Sequence, residues 1–193
     1  MVNKNDQTKV ITGKVRFAYL HVFEPHAVEE TQEKKYSATL LIPKSDTKTI
    51  NDIKRAIKNA VDQGIKEKWG GKKPANLNMP LRDGDEERPD HPEFHGHYFV
   101  NAKSIFKPGV VDAQLNEIID STEIYSGCYG RASINFYAYN VSGNKGIACG
   151  LNNIQKLHDG ETLGGRARPE DEFSAVDVSE FEENNTDVDD FLA

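Results

Sequence analysis

The sequence lacks the features by which several large classes of protein are recognised. It has two cysteines, Cys128 and Cys149, in 193 residues, too few for a disulfide framework and typical of a reducing compartment. No run approaches the roughly 20 apolar residues that span a bilayer. The N-terminal MVNKNDQTK has no apolar segment of a secretory signal. We therefore expect a cytoplasmic protein without membrane association, with both cysteines in the core.

Catalytic motifs are also missing. HEXXH, the P-loop and the GxSxG elbow do not occur. The segment HPEFHGH places His91, His95 and His97 beside Glu93, and imidazole and carboxylate groups can bind Zn or Mg. Their spacing matches no metal-binding motif, so we expect no metal, no cofactor and no enzymatic activity. A metal-dependent DNA-processing enzyme that uses the loop 83–97 stays open as an alternative.

The C-terminus lacks basic residues altogether. Ten of the 31 acidic residues lie within residues 170–193, where no Lys or Arg occurs. Residues 1–169 therefore carry 24 basic and 21 acidic side chains, a net charge of +3, although the whole chain has a net charge of -7. A mildly basic domain (1–169) with a disordered acidic tail (170–193) is the resulting prediction, and this asymmetry suggests an anionic partner.

Hydrophobic periodicity predicts five strands and one helix. Alternating or β-branched segments predict strands at 9–20, 35–43, 97–107, 124–140 and 147–157. From Ile50 to Trp69, apolar residues recur every three or four positions, which predicts an amphipathic helix over 45–69. Ser45 or Asp46 would cap this helix, and Gly70-Gly71 would end it.

Between helix and third strand lies the long loop 70–96, with four prolines, which we expect to be functional or mobile. The pattern suits a mainly β fold with one α-helix, such as a five-stranded OB-fold-like β-barrel with the helix after strand two. Pattern alone does not distinguish the OB-fold from other α+β barrels.

The fourth strand has two contrasting faces. A small apolar face, typical of a core, consists of Ala132, Ile134, Phe136 and Ala138. The other face consists of Arg131, Ser133, Asn135, Tyr137 and Tyr139. Bases stack on aromatic rings and phosphates need cations, so this mixture suits a sequence-tolerant surface for single-stranded DNA (ssDNA). The alternative is that Tyr137 and Tyr139 cap a small core against the helix.

Several other predicted strands also carry basic residues interleaved with aromatic ones, the composition of a nucleic-acid-binding surface. The predicted DNA contacts are Lys14, Arg16 and Tyr19 on strand one, Lys35 and Tyr36 on strand two, Lys103, Phe106 and Lys107 on strand three, and Arg131, Asn135, Tyr137 and Tyr139 on strand four. On strand one, Val15, Phe17 and Tyr19 share a face. Which of Phe17, Tyr19 and Tyr36 face the core stays open at this point.

Three strings carry a family resemblance: KYSATLLIPKSD, IYSGCYGRASINFYAYN and GNKGIACGLNNIQKLHDGETLGGR. They resemble a family of bacteriophage ssDNA-binding proteins long catalogued as a domain of unknown function, and the likeness spans about residues 10–173. The resemblance implies an OB-fold, no enzymatic activity, and a role in phage DNA replication, recombination or repair in the host cytoplasm.

The acidic end is similar to the tails of such proteins, although it finishes FLA and not at the aromatic residue. Its carboxylates are expected to compete with ssDNA, so that removal of the tail would allow double-stranded DNA to bind. Asp187, Asp189, Asp190, Phe191 and Leu192 would recruit replication or recombination proteins. A scaffold that binds no nucleic acid is the third hypothesis, and the oligomeric state stays open.

Overall fold

The computed structural model describes residues 4–164 and 169–181. The chain divides into two compact units, Met1–Leu163 and Gly164–Ala193. The strands of the first unit are β1 (Lys9–Ile11), β2 (Val15–His26), β3 (Lys35–Pro43), β4 (Arg82–Asp83), β5 (His97–Ser104), β6 (Gly109–Val111), β7 (Tyr129–Val141) and β8 (Asn144–His158). Its helices are α1 (Lys4–Thr8), α2 (Thr47–Glu67) and α3 (Gly84–Glu87), with a 3₁₀ turn at Pro92–Phe94.

Five of these strands close into a ring in the order β2-β3-β5-β8-β7, and β7 pairs again with β2. All neighbours are antiparallel except β5 and β8, which are parallel. Counted along the chain, the ring order is first-second-third-fifth-fourth, the Greek-key order of an OB-fold. The predicted OB-fold-like architecture, with its long helix after the second strand, is confirmed.

The predicted first strand, 9–20, is two strands that both pair with β7. β1 pairs with Ser133–Asn135 and β2 with Tyr129 and Gly130, with a bend at Gly13 between them. The bend brings the Gly13 backbone against Asp46, where a Cβ on Gly13 would stand 2.5 Å from Asp46 Oδ2. The fourth strand also starts later than predicted, at Tyr129, because residues 124–128 form a turn with Gly127 at φ +116°.

Helix α2 is the amphipathic helix that the periodicity predicts. Asp46 is its N-cap and accepts hydrogen bonds from Thr49 N (3.1 Å) and Thr49 Oγ1 (2.6 Å). Gly70 and Gly71, both at positive φ, follow its end. Its apolar stripe joins the interior of the ring, where the largest buried side chains include Phe17, Leu40, Ile53, Ile134 and Phe136. Cys128 and Cys149 are buried there as predicted.

The loop 70–96 contains short elements and a second apolar cluster. β4 pairs with β5, and α3 and the 3₁₀ turn follow it. Phe94, fully buried, packs with Ala18, Leu41 and Phe99 on the outside of the ring. This segment therefore covers part of the sheet's outer face, a packing role that composition alone does not reveal.

The second unit is described only at residues 164 and 169–181, where α4 (Pro169–Glu172) and a 3₁₀ turn at Val178–Phe181 occur. The predicted interaction residues Asp187, Asp189, Asp190, Phe191 and Leu192 lie outside the described residues. The domain boundary at 169 stays a prediction. Within the described ranges, no helix is both long and apolar enough to cross a membrane.

Gly64 tests the contact between α2 and the sheet. A Cβ at this position would stand 2.6 Å from the Ala138 Cβ and 2.8 Å from the Trp69 ring. Although alanine is the better helix former by about 1 kcal/mol, we expect Gly64→Ala to lower the free energy of unfolding by about 1–3 kcal/mol through overpacking. Urea denaturation measures this. The neighbouring exposed Asp62→Ala is the control, and an equal or greater stability of Gly64→Ala would contradict the packing.

Candidate nucleic-acid interface

A groove runs over the outer face of β2, β3 and β5, with a volume of about 320 Å³. Its side chains follow the strand register in rows. Thr39 and Asn101 form one row, His21, Ser37 and Lys103 the next, and His26 and Lys35 a third. Neighbouring strands lie about 4.8 Å apart, so the three-residue row is about 10 Å wide. Within the first row, Thr39 Oγ1 donates to Asn101 Oδ1 at 2.7 Å.

Tyr19 faces this groove because β2 is irregular there. The register between β2 and β3 shifts between Ala18 and His21, and Tyr19 has φ +46°. Such a bulge changes the direction of a side chain, so Tyr19 leaves the face that Val15 and Phe17 share and is 53% exposed. Its ring centroid lies 6.5 Å from that of Phe94. Phe17 is fully buried, which settles the two orientations on β2 that the sequence left open.

One wall of the groove comes from the segment between α3 and β5. The guanidinium carbon of Arg88 lies 6.0 Å from the Phe94 ring centroid, which itself packs edge-on against Phe99 at 5.0 Å. Arg88 Nε is buried and has no hydrogen-bond partner among the described residues. Arg88 is thus a cation that the aromatic cluster holds at the groove.

The charged groups that line the groove are mostly basic. Lys35, Arg88 and Lys103 are the cations, while Glu33 is a carboxylate whose Oε2 lies 3.7 Å from Lys35 Nζ. Rings from Tyr19 and two histidines lie among them. The surface therefore combines positive charge with exposed ring faces, the two requirements for binding a single strand of nucleic acid.

His21 and His26 form a stacked pair in the groove. Their ring centroids lie 4.4 Å apart and their planes differ by 14°. Burial lowers the pKa of His21, and the charge of a protonated His26 lowers it further. The pair therefore resists carrying two positive charges.

The predicted contacts on β7 lie elsewhere on the ring, because β3 pairs with β2 and β5 and not with β7 or β8. Arg131 Nε donates to Thr12 O at 3.1 Å. The Asn135 side chain lies close to the backbone of Gly150, where a Cβ would stand 2.6 Å from Asn135 Oδ1. Tyr139 Oη accepts from Asn78 Nδ2 at 3.2 Å. Tyr137 is 49% exposed, and burial of the rest of its ring raises its pKa.

Lys14 and Arg16 lie beside Tyr129, at the start of β7. Lys14 Nζ and the Arg16 guanidinium carbon stand 5.7 and 5.5 Å from the Tyr129 ring centroid. Arg16 also donates from Nε to Gly127 O (3.1 Å) and from a terminal nitrogen to Glu161 O (2.6 Å). Arg16 therefore joins two loops to the strand, in addition to carrying charge.

The remaining predicted contacts are also dispersed. Tyr36 has the parity of Ala38 and Leu40 in β3, opposite to Lys35 and Ser37, and is half-buried. Phe106 is 76% exposed. Lys107 Nζ lies 5.3 Å from the Phe23 ring centroid. Of the twelve predicted residues, the groove brings together Tyr19, Lys35 and Lys103.

The acidic and histidine-rich loop 83–97 uses its groups for internal contacts. Lys44 Nζ contacts Asp83 and Asp85, each at 2.7 Å, and its hydrogen bonds hold the pKa of both carboxyls below the usual range. His95 Nε2 lies 2.7 Å from Pro89 O. Within the described ranges, no group of three or more His, Cys, Asp or Glu residues is arranged to hold a metal ion.

Sequence reasoning missed His21, His26, Ser37, Arg88 and Asn101, all of which line the groove. For Ser37, the alternation with Lys35 along β3 is a usable signal. Asn101 follows in the same way on β5, opposite Thr39. The positions of His21 and His26 depend on the bulges of β2, and that of Arg88 depends on the segment that carries Phe94. The alternation of a regular strand predicts none of the three.

A basic groove with exposed rings, over the first three strands of a five-stranded ring in Greek-key order, defines an oligonucleotide-binding protein of the OB-fold class. The chain belongs to the Enterobacter phage Enc34 ssDNA-binding protein family, whose model matches residues 8–187. The family and the similar solved structures are ssDNA-binding proteins, which are not enzymes. The prediction of a non-enzymatic protein is therefore confirmed, and the metal-dependent enzyme is not supported.

Individual relatives agree with this family. The chain is 34% identical over 186 residues to protein p50 of Acyrthosiphon pisum secondary endosymbiont phage 1, covering 91% of this chain and 97% of that protein. It is similar to the ssDNA-binding protein of bacteriophage Enc34 in complex with ssDNA (29% identity, TM-score 0.72, 85% and 96% of the two chains). The fold is also that of gp2.5 of bacteriophage T7 (16% identity, TM-score 0.59, 93% and 97%).

Substitution of Arg16 tests whether this side chain stabilises the fold through its hydrogen bonds or only adds a positive charge to the surface. Because its guanidinium donates to two loop carbonyls, we expect Arg16→Ala to lower the free energy of unfolding by about 1–3 kcal/mol. Lys14→Ala, next to the same tyrosine ring, removes a charge without these bonds and is expected to stay within about 0.5 kcal/mol. Urea denaturation compares the two, and equal stabilities would show that the two hydrogen bonds do not hold the loops.

Proposed function

We propose that the protein binds ssDNA, with little regard to sequence, along the groove over β2, β3 and β5, and that it acts in phage DNA replication, recombination or repair in the host cytoplasm. The observation that carries the proposal is the coincidence of Tyr19, Lys35, Arg88 and Lys103 in one groove. A relative's structure contains ssDNA, which supports the choice of ligand.

The width of the groove supports a single strand. Three strands present side chains to it, and Phe94 with its neighbours limits one side. Lys35 stands on the third row and Lys103 on the middle row, beside the small polar side chain of Ser37. A sugar-phosphate chain can follow the lysines while its bases contact ring faces, which needs no particular base.

The face of β7 is the second candidate for the DNA path, since Arg131, Asn135, Tyr137 and Tyr139 lie along it. Three of these side chains contact neighbouring protein groups, which favours the groove. The contacts Lys14, Arg16, Tyr36, Phe106 and Lys107 stay predictions for flanking DNA.

Substitution of two similarly exposed tyrosines distinguishes the two candidate DNA paths. Tyr19 and Tyr137 are 53% and 49% exposed, one in the groove and one on β7. We expect Tyr19→Ala to weaken binding of a fluorescent oligo-dT by about 1–3 kcal/mol through lost stacking, and Tyr137→Ala to change it by less than about 0.5 kcal/mol. Fluorescence anisotropy measures both. The reverse result would place the DNA on β7, and no binding by the unaltered protein would end the proposal.

The acidic tail is proposed to compete with DNA for the basic surface and to recruit partner proteins through its end. Its ten carboxylates reverse the charge of residues 1–169, and such an interaction is screened by salt. Phe191 and Leu192, flanked by Asp187, Asp189 and Asp190, suit an apolar pocket with a basic rim on a partner.

Removal of residues 170–193 changes the net charge from -7 to +3. We expect the shortened chain to bind ssDNA more tightly at low salt and to gain affinity for duplex DNA, with the difference narrowing as salt rises. A full-length variant with the ten acids replaced by Asn and Gln is the control for length. Anisotropy with single-stranded and duplex oligonucleotides measures the effect, and equal affinities at low salt would argue against competition.

A further inference from the structure

The stacked pair His21–His26 has an origin in the strand register. On β2, His21 is opposite Ser37 and His26 is opposite Lys35. Five positions along β2 thus match two along β3, so three extra residues leave the ladder between the two histidines. Val22 from this interval is buried in the core, and Phe23 packs against it. The bulge therefore brings two imidazoles that are five positions apart on one strand into one place in the groove.

The groups that face the pair come from every element around the groove. They are Lys35 on β3, Lys103 on β5, Arg88 before the 3₁₀ turn, and the carboxylate of Glu33 before β3. Glu33 is paired with Lys35 at 3.7 Å, so the pair stands in a mainly positive field. Burial lowers the pKa of His21, and the charge of a protonated His26 lowers it further.

We propose that His21–His26 is a phosphate contact that binds ssDNA in its protonated form, so that DNA binding in this groove is coupled to the uptake of about one proton. The inference rests on the proposed function and adds to it a chemical property of the same groove. A phosphate beside the rings offsets the cost of burying a charged imidazole and the repulsion between the two rings. It also gives an imidazolium N–H a charged acceptor.

The sign of the effect follows from linkage. The lowered pKa of His21 disfavours its protonated form in the DNA-free protein, while a bound phosphate raises that pKa. The protonated contact is complete at pH values below the pKa that His21 has in the DNA-free protein. It is lost as the pH rises through the higher pKa that His21 has in the DNA complex. Affinity therefore falls with rising pH, by up to about tenfold per pH unit for one proton.

Few other groups titrate in this window. Carboxylic acid side chains ordinarily titrate near pH 4, and Lys and Arg side chains above pH 10, outside this window. The remaining imidazoles are His91, His95, His97 and His158, and the α-amino group titrates near pH 8. Among the histidines, His158 is a matched control, because it is also stacked, on Tyr129 at 4.8 Å, and lies at the end of β8.

The test is oligo-dT affinity by anisotropy between about pH 5.5 and 7.5 at constant ionic strength, for the full-length protein, His21→Asn/His26→Asn and His158→Asn. We expect the full-length protein and His158→Asn to lose affinity as pH rises, and the double variant to bind with a nearly constant, weaker affinity. If the double variant keeps the pH dependence, or if His158→Asn removes it, the proton-linked contact lies elsewhere and the proposal is overturned.

A second measurement needs no substitution. Calorimetric titration of the full-length protein with oligo-dT, in buffers of different ionisation enthalpy, counts the protons taken up. We expect about one near pH 6.5. Binding without proton uptake would overturn the inference while leaving the proposed function intact, whereas absence of binding at every pH would overturn the proposed function itself.

Discussion

The closure of the five strands depends on the seam between β2 and β7, where the Phe17 side chain lies close to the backbone of Gly130. Val15 is opposite Gly130 at this seam, and a Cβ on Gly130 would stand 2.6 Å from the Phe17 ring and 2.2 Å from Gln155 O. Glycine therefore lets the fully buried Phe17 ring lie inside the ring of strands while β7 pairs with β8 on its other side. Once this seam is closed, the outward side chains of β3 and β5 have a defined place beside those of β2.

The groove is a consequence of how β2 accommodates that closure. A 12-residue strand that pairs with β7 at one end and β3 along the rest has to bend, and bulges concentrate the bend and the twist. The first bulge turns Tyr19 outward and the second brings His21 and His26 together. The same irregularities that let the sheet close thus provide the ring faces of the groove.

The sequence was sufficient to predict the elements that obey a period. β3 matches its predicted bounds, 35–43, and α2 has its apolar stripe, its cap at Asp46 and its glycine end. The side of β2 on which Tyr19 lies stayed open, because a bulge breaks the period-two alternation without a distinctive residue to mark it. Arg88 reaches the groove because its loop packs over the buried Phe94 ring, and no local pattern encodes that contact. Basic and aromatic residues occur on both faces of the ring, so composition alone could not select the groove.

The choice between arginine and lysine affects how strongly the groove can discriminate between DNA sequences. Arg16 and Arg131, both predicted to contact phosphate, donate to backbone carbonyls of Gly127, Glu161 and Thr12. A planar fork suits such fixed acceptors. The groove presents Lys35 and Lys103 instead, whose ammonium groups are compact charges on flexible stems. Such groups follow a phosphate over a range of positions and demand no fixed geometry. Tolerance of sequence is therefore what the groove's chemistry favours, because its affinity comes from charge and ring faces and little of it from directed hydrogen bonds to bases.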